Sequence, residues 1–320
     1  MYRKIALALA VSAIAPLSLA QGNLKPLRIV TSFSAGGPVD FVARALAEQL
    51  GRDLKRAVIV ENKPGANGAL GALDTLRSEA DGSTLWITSV GAAVVNPILN
   101  DKAGYNTQRD FAAVSLLANN VEVLMIPVKH PAKDAAQFVQ VVKARKESTP
   151  MASSGSGSIP HLAMIQLEES TGARFLHVPY KGMAPAFTDV MGGQVEGLFA
   201  DVGAVLPHVQ GDRLKAIGIA ASKRHPALPN VKTFEEQGIQ AVDTNNWYAL
   251  FASAKTPPAV VDQLNKAVRA AMDKPEMSAK MIRGGVEPRT STPQELAVLL
   301  KADSAKWGAL IKSRNIKADE

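Results

Sequence analysis

Three turns rich in glycine and serine, at residues 34–40, 63–68 and 153–158, each follow a strand-like run and lead into a helix-like one. A helix N-terminus leaves backbone N–H groups unpaired and carries a partial positive charge of roughly half a unit. Anions bind there without help from lysine or arginine, and glycine lets the backbone come close to them. Asp40, near the start of its helix, either caps that helix or accepts from a ligand amine or hydroxyl. Taken singly each turn reads first as ordinary punctuation; only their combination suggests one anion site. The run Ser153-Ser154-Gly155-Ser156-Gly157-Ser158 is not a phosphate-binding P-loop, because Ile159-Pro160-His161 follows where Gly-Lys-Ser/Thr is needed. Nor is it a nucleophile elbow, since no serine stands in the Gly-x-Ser-x-Gly frame. Its hydroxyls read as donors to carboxylate oxygens, a role compatible with capping the helix that follows.

The histidines His130, His161, His177, His208 and His225 are spread along the chain without metal-ligand spacing. His161 follows the serine-rich turn and could donate to a ligand or to the turn's own backbone. His177, in a strand before Pro179, reads as structural. A Ser/His/Asp triad assembles across a fold and leaves no local spacing, so the sequence neither points to one nor removes it. Asp201 ends a strand, and Tyr180-Lys181-Gly182 follows the strand before it. Both positions are expected to open onto a cleft, because ligands of open α/β sheets bind at the carboxyl ends of strands. There Tyr180 could pack on a ligand or donate to it. Trp247 and Tyr248 fall in a crossover segment, where core burial is expected.

The elements that must position these residues have a simple rhythm. Strand-like runs at 27–33, 57–61 and 85–89 alternate with helical spacing after Pro38 and after the 63–68 turn, as in a parallel sheet covered by helices. A second series places strands at 121–128, 175–179, 195–200 and 214–220, with helices at 135–145, 160–170, 184–191 and 205–210. Two late helices, 257–273 and 293–313, read as cladding. Two α/β lobes with a cleft between them are the simplest architecture, and 320 residues suit two domains of roughly 150 each. With 47% hydrophobic and 20% charged residues, a long disordered chain is excluded. The absence of cysteine excludes disulfide scaffolds, thiolate metal sites and a cysteine nucleophile. The net charge of +7 fits an anionic ligand, but scattered basic residues and 5% aromatics argue against a nucleic-acid partner.

At the N-terminus, Arg3 and Lys4 precede an uncharged apolar run and small residues at Ser18 and Ala20. That is the pattern of a secretory signal peptide cleaved after Ala20, and the apolar run is shorter than the roughly 20 residues a spanning helix needs. The mature protein is expected to be exported to the periplasm and soluble.

In this order the loops resemble the Bug-type substrate-binding receptors of the tripartite tricarboxylate transporter system. The matching stretches are FSAGGPVD at 33–40, VENKPGA at 60–66, GSGSIPH at 155–161, HVPYKG at 177–182, APA at 184–186 with Asp189, GGQV at 192–195 and LPH at 206–208. The similarity spans essentially the whole mature chain, and the HVPYKG run is quite specific. It implies an α/β fold of the two-lobed periplasmic-binding-protein (type II) class with a cleft between the lobes. Residues 21–122 with 247–320 would form a discontinuous first lobe, and 123–246 the second. The resemblance further implies a small organic carboxylate held by backbone amides, serine hydroxyls and waters. Carried over, one side of the cradle is Phe33, Gly36, Gly37 and Asp40, and the other is Ser154, Gly155, Ser158 and His161. Ala66, Ser89, Tyr180 and Asp201 would stand at the rim. The chain departs from the family pattern at Ser34-Ala35, where prolines are common, at Met183, and at Ala200-Asp201-Val202 in place of Phe-Asp-Ser. The expected protein is a monomeric receptor delivering its ligand to membrane permease components, with no cofactor, metal or catalytic residue. Two rivals stand beside it: a secreted hydrolase using one serine of 153–158 with a histidine, and a receptor that signals to a membrane sensor kinase.

Overall fold

Punctuation by glycine and proline sets most of the element boundaries. The computed structural model describes residues 25–317 apart from Lys181. The leader at 1–20 with its cleavage point at Ala20, and Lys181, lie outside the described residues. The β-branched run β1 (Leu27–Thr31) ends at the first glycine turn, and Pro38 then opens α1 (Pro38–Leu54), where its missing N–H costs nothing. β2 (Val58–Asn62), α2 (Ala69–Arg77) and β3 (Thr84–Ser89) follow, then the short α3 (Asn96–Leu99) and α4 (Thr107–Asp110). Next come β4 (Phe111–Asn119) and, after only two residues, β5 (Glu122–Pro127). The chain continues through α5 (Ala135–Lys143), β6 (Thr149–Ser153), α6 (Ile159–Thr171), β7 (Phe175–Pro179), α7 (Met183–Gly192), β8 (Gly197–Asp201), α8 (Val202–Gln210) and β9 (Leu214–Ile219). It closes with β10 (Tyr248–Ser253), α9 (Pro258–Met272), α10 (Pro275–Arg283), β11 (Glu287–Pro288) and α11 (Pro293–Ser313). A capping box in which Thr292 and Glu295 exchange hydrogen bonds fixes the start of α11.

Two sheets result, ordered β11-β4-β10-β3-β1-β2 and β7-β6-β8-β5-β9. Each is mixed where the periodicity predicts a parallel sheet. β10 runs antiparallel between β3 and β4, and β5 runs antiparallel between β8 and β9. The segment at Tyr248 is therefore a central strand, buried at every position, and not a crossover. Strands buried on both faces lose the alternation that marks a strand in sequence, and β4 escapes the periodicity for the same reason. One apolar layer joins the first sheet to α1, α9 and α10, and a second joins its other face to α2 and α11. The second sheet has its own two layers. α6 is buried continuously from Ile159 to Leu167 and contributes Ile159, Leu162 and Ile165 to a layer of the first sheet, so it bridges the two units. The chain passes between sheets at Asn120-Val121 and again at 220–247. The two passages touch, the Asn246 N–H donating to the Asn120 carbonyl at 2.8 Å.

Candidate functional site

The first turns of several helices meet at a single cleft of about 610 Å³ between the two sheets. Gly37, Pro38 and Val39 open α1, Ser158, Ile159 and Pro160 open α6, and Gly182, Met183 and Ala184 open α7; all line this cleft. Neither α1 nor α7 has a side chain capping its first turn, so their leading N–H groups remain for a ligand. The end of β3 and the helical turn from Gly91 add Ser89, Gly91 and Ala92 to the same wall. Gly157 closes the approach between the units: its φ of +74° favours glycine, and a Cβ there would meet Leu99 Cδ1 at 2.0 Å.

Of the residues singled out in the sequence, Phe33, Gly37, Ser89, Ser154, Ser158 and Asp201 form part of the wall. Gly36, Asp40, Ala66, Gly155, His161 and Tyr180 are not among the residues lining it, and each has a partner within the protein. Asp40 is buried and accepts from the Gly36 N–H at 2.9 Å, from Arg44 Nε at 2.8 Å and from Asn62 Nδ2 at 2.8 Å. Burial works against its charge, but these three donors together hold its carboxyl below the ordinary carboxylate range. It therefore ties the first turn together, and the Gly36 N–H is spent on it. The Ala66 carbonyl accepts from Asn96 Nδ2 at 3.2 Å. The Gly155 carbonyl takes the Ser158 hydroxyl at 2.7 Å. The His161 ring accepts the Gly157 N–H at Nδ1, 3.0 Å away, and stacks on His177 with centroids 3.7 Å apart. Tyr180 donates to Asp189 Oδ2 at 2.6 Å, which pushes its phenol up to about 12. Ser153 Oγ lies 2.6 Å from His177 Nε2, a spacing a serine nucleophile would need. Yet Ser153 is fully buried and is not among the residues lining the cleft. Among the described residues no cluster of acidic or imidazole side chains could hold a metal ion, and no helix is long and apolar enough to cross a membrane.

The cleft also holds residues that local reading misses. Glu122, Asn246 and Tyr248 form its wall beside the two chain passages. In sequence the one visible signal is a lone carboxylate at the head of the apolar run VEVLMIPV. Glu122 pairs in register with Asp201 across β5 and β8, and like charges directly opposite one another on a sheet repel. Burial raises the Glu122 carboxyl well above its ordinary value, and Asp201 pushes it further. Burial raises Asp201 as well, although the Ala204 N–H donates to its Oδ1 at 2.9 Å. Tyr248, which accepts from Asn120 Nδ2, is raised by burial and then by both carboxyls.

The native state therefore holds the Glu122 proton more tightly than the unfolded chain does. This contribution to stability is complete below the ordinary value of 4.5 and is lost as pH rises through the elevated native value. A Glu122→Gln variant cannot ionise, so its melting temperature relative to the parent is expected to climb as pH is raised above that ordinary value. Thermal unfolding followed across pH measures this, and a pH-independent difference would contradict it.

Comparison with known proteins places the chain in a consistent company. A family described as "Tripartite tricarboxylate transporter family receptor" matches residues 42–316. A protein of Pseudomonas sp. (strain P51), described as a UPF0065 protein in the tcbD-tcbE intergenic region, is 30% identical over 99% of this chain and 94% of its own length. BugT of Bordetella pertussis is 29% identical over 95% of this chain and 93% of its own. Among solved structures, Rpa4515 of R. palustris with adipate superposes with a TM-score of 0.84 at 26% identity, covering 91% of this chain and 98% of that one. MatC of Rhodopseudomonas palustris, with bound malate, gives 0.79 at 28% identity, covering 90% and 99%.

Proposed function

The chain belongs to the tripartite tricarboxylate transporter family of periplasmic solute receptors, and from that premise we propose that it captures a small organic carboxylate in the inter-sheet cleft for delivery to membrane permease components. The observation that carries this reading is the convergence of the uncapped first turns of α1 and α7 with that of α6 on one cavity. Their N–H groups and partial positive charge suit a carboxylate, and the Ser154 and Ser158 side chains stand in the same wall. Adipate and malate in the related structures are ligands of that class. The units carrying the two sheets act as lobes, residues 21–122 with 247–320 and 123–246, and bend about the paired passages at 119–123 and 245–248. Ligand binds the closed state better than the open one, which is what drives closure. The protein is exported after removal of the leader at Ala20, acts as a monomer and catalyses no reaction. A cleft of this size lies within the range of small-molecule sites.

Thermal unfolding of the purified mature protein against mono-, di- and tricarboxylates tests the reading. A cognate acid at a hundred times its Kd stabilises the native state by about 2.7 kcal/mol, and the expected result is such a shift with at least one acid. No shift across the panel, together with turnover of an ester or amide, would replace the receptor by a hydrolase.

A further inference from the structure

We propose that the wall of the cleft beside the chain passages is a subsite for a protonated amine, held by Glu122, Asp201 and the side-chain carbonyl of Asn246, so that the captured acid is an amino-carboxylate. This rests on the receptor reading of the same cleft and adds the chemistry of the ligand's second end.

Glu122 is 1% exposed; its Oε1 accepts from Asn246 Nδ2 at 3.3 Å, and its Oε2 has no partner. Asn246 is 9% exposed, and its Oδ1 likewise has no partner. Both residues line the cleft. A buried acceptor without a donor is costly, more so when it is ionisable. Asp201 faces Glu122 across the strand pair from the same wall, and its Oδ1 is engaged by Ala204. The described residues of that wall include no lysine, arginine or histidine. Acceptors thus accumulate at one side of a cleft whose other edges offer helix N-termini.

An ammonium group supplies what this wall lacks. Its three N–H donors match Glu122 Oε2, Asn246 Oδ1 and Asp201, and its charge favours the ionised forms that burial and their mutual repulsion otherwise suppress. A hydroxyl brings one donor and no charge. A second carboxylate would meet two carboxyls and, among the described residues of the wall, no cation. The ligand's own carboxylate remains for the first turns of α1, α6 and α7.

The test is isothermal titration of the mature protein with matched pairs: L-aspartate with succinate, L-glutamate with glutarate, 4-aminobutyrate with butyrate, and L-alanine with propionate. At least one amino acid is expected to bind roughly tenfold or more tightly than its deaminated partner, a difference equivalent to about 1.4 kcal/mol. Glu122→Gln, nearly isosteric, is expected to shrink that ratio by a similar factor, with the far-ultraviolet spectrum confirming a folded variant. Asn246→Ala is expected to shrink it as well, so the result does not hang on one substitution. Deaminated acids binding as well as or better than their partners in every pair would overturn the amine subsite and leave the carboxylate receptor standing. A preference unchanged in both variants would overturn it too, because the amine would then be read elsewhere. Binding of no carboxylate at all, by either the pairs or the wider panel, would overturn both readings together.

Discussion

Replacing Trp86 by alanine is expected to destabilise the fold by about 3–5 kcal/mol, the range for a large aromatic deleted from a core. Trp86 in β3 is fully buried and packs against Phe111, Tyr105 and Phe251, with centroids 4.6, 5.7 and 5.7 Å away. Those partners come from β4, β10 and the loop before α4, so one cavity would unsettle the centre of the first sheet. The indole also reaches the site. Its Nε1 donates to Ser32 Oγ at 2.7 Å, and that hydroxyl donates to the Gly68 carbonyl at 2.9 Å. Ser32 precedes the first cleft turn and Gly68 ends the second, so a single buried chain of hydrogen bonds sets their spacing. Trp86→Phe separates the two effects: it keeps most of the packing and loses the donor, costing about 1 kcal/mol for the hydrogen bond. Urea unfolding of both variants measures the difference, and carboxylate affinity of the phenylalanine variant reports on the turns. An alanine variant within 1 kcal/mol of the parent, on the same scale of about 3–5 expected, would mean that the aromatic cluster does not hold the sheet centre.

How far the sequence reveals this molecule depends on how local each feature is. Gly36-Gly37-Pro38 and Gly157-Ser158 announce a turn followed by a helix because φ above zero and helix entry are decided within a few residues. The helix starts at the cleft are legible for that reason. β10 is not, because its position between β3 and β4 is earned only after the chain has built an entire second sheet. The polar residues near the turns have partners that spacing does not show, for a related cause. Asp40, His161 and Tyr180 look available in sequence, but each finds a donor or acceptor within nine positions along the chain. A side chain beside a turn reaches its own backbone before it reaches a ligand. Glu122, Asn246 and Tyr248 show the opposite behaviour. They come from two passages more than a hundred residues apart and meet only because those passages pair. No spacing rule can see that. A carboxylate at the head of an otherwise apolar strand was the available hint, since burying it there is costly.

Gly203→Val is expected to weaken carboxylate binding by roughly tenfold or more while leaving the ligand-free melting temperature nearly unchanged. Gly203 lies in the first turn of α8, on the second sheet, and touches the segment between α10 and β11 that belongs to the first. A Cβ at Gly203 would stand 3.0 Å from the Gly284 carbonyl oxygen and 3.5 Å from Pro38 Cγ; one at Gly285 would stand 2.7 Å from Gly203 Cα. The two units therefore meet here backbone to backbone, beside the first turn of α1. The Gly203 backbone itself is not left-handed, so a side chain strains nothing within its own helix, and alanine would even favour the helix by about 1 kcal/mol. Only the approach of the other unit forbids it. Overpacking of a close contact costs about 1–3 kcal/mol, and under the proposed opening of the cleft that cost falls on the closed state. Each 1.4 kcal/mol lost from closure lowers affinity tenfold. Gly203→Ala, whose single methyl needs the Gly284 carbonyl to give only slightly, should fall between parent and valine. Titration of all three proteins with one carboxylate, alongside their ligand-free melting curves, separates closure from folding. Equal affinities would mean that the cleft holds its ligand without the units coming together at this edge, and that the paired passages do not work as a hinge.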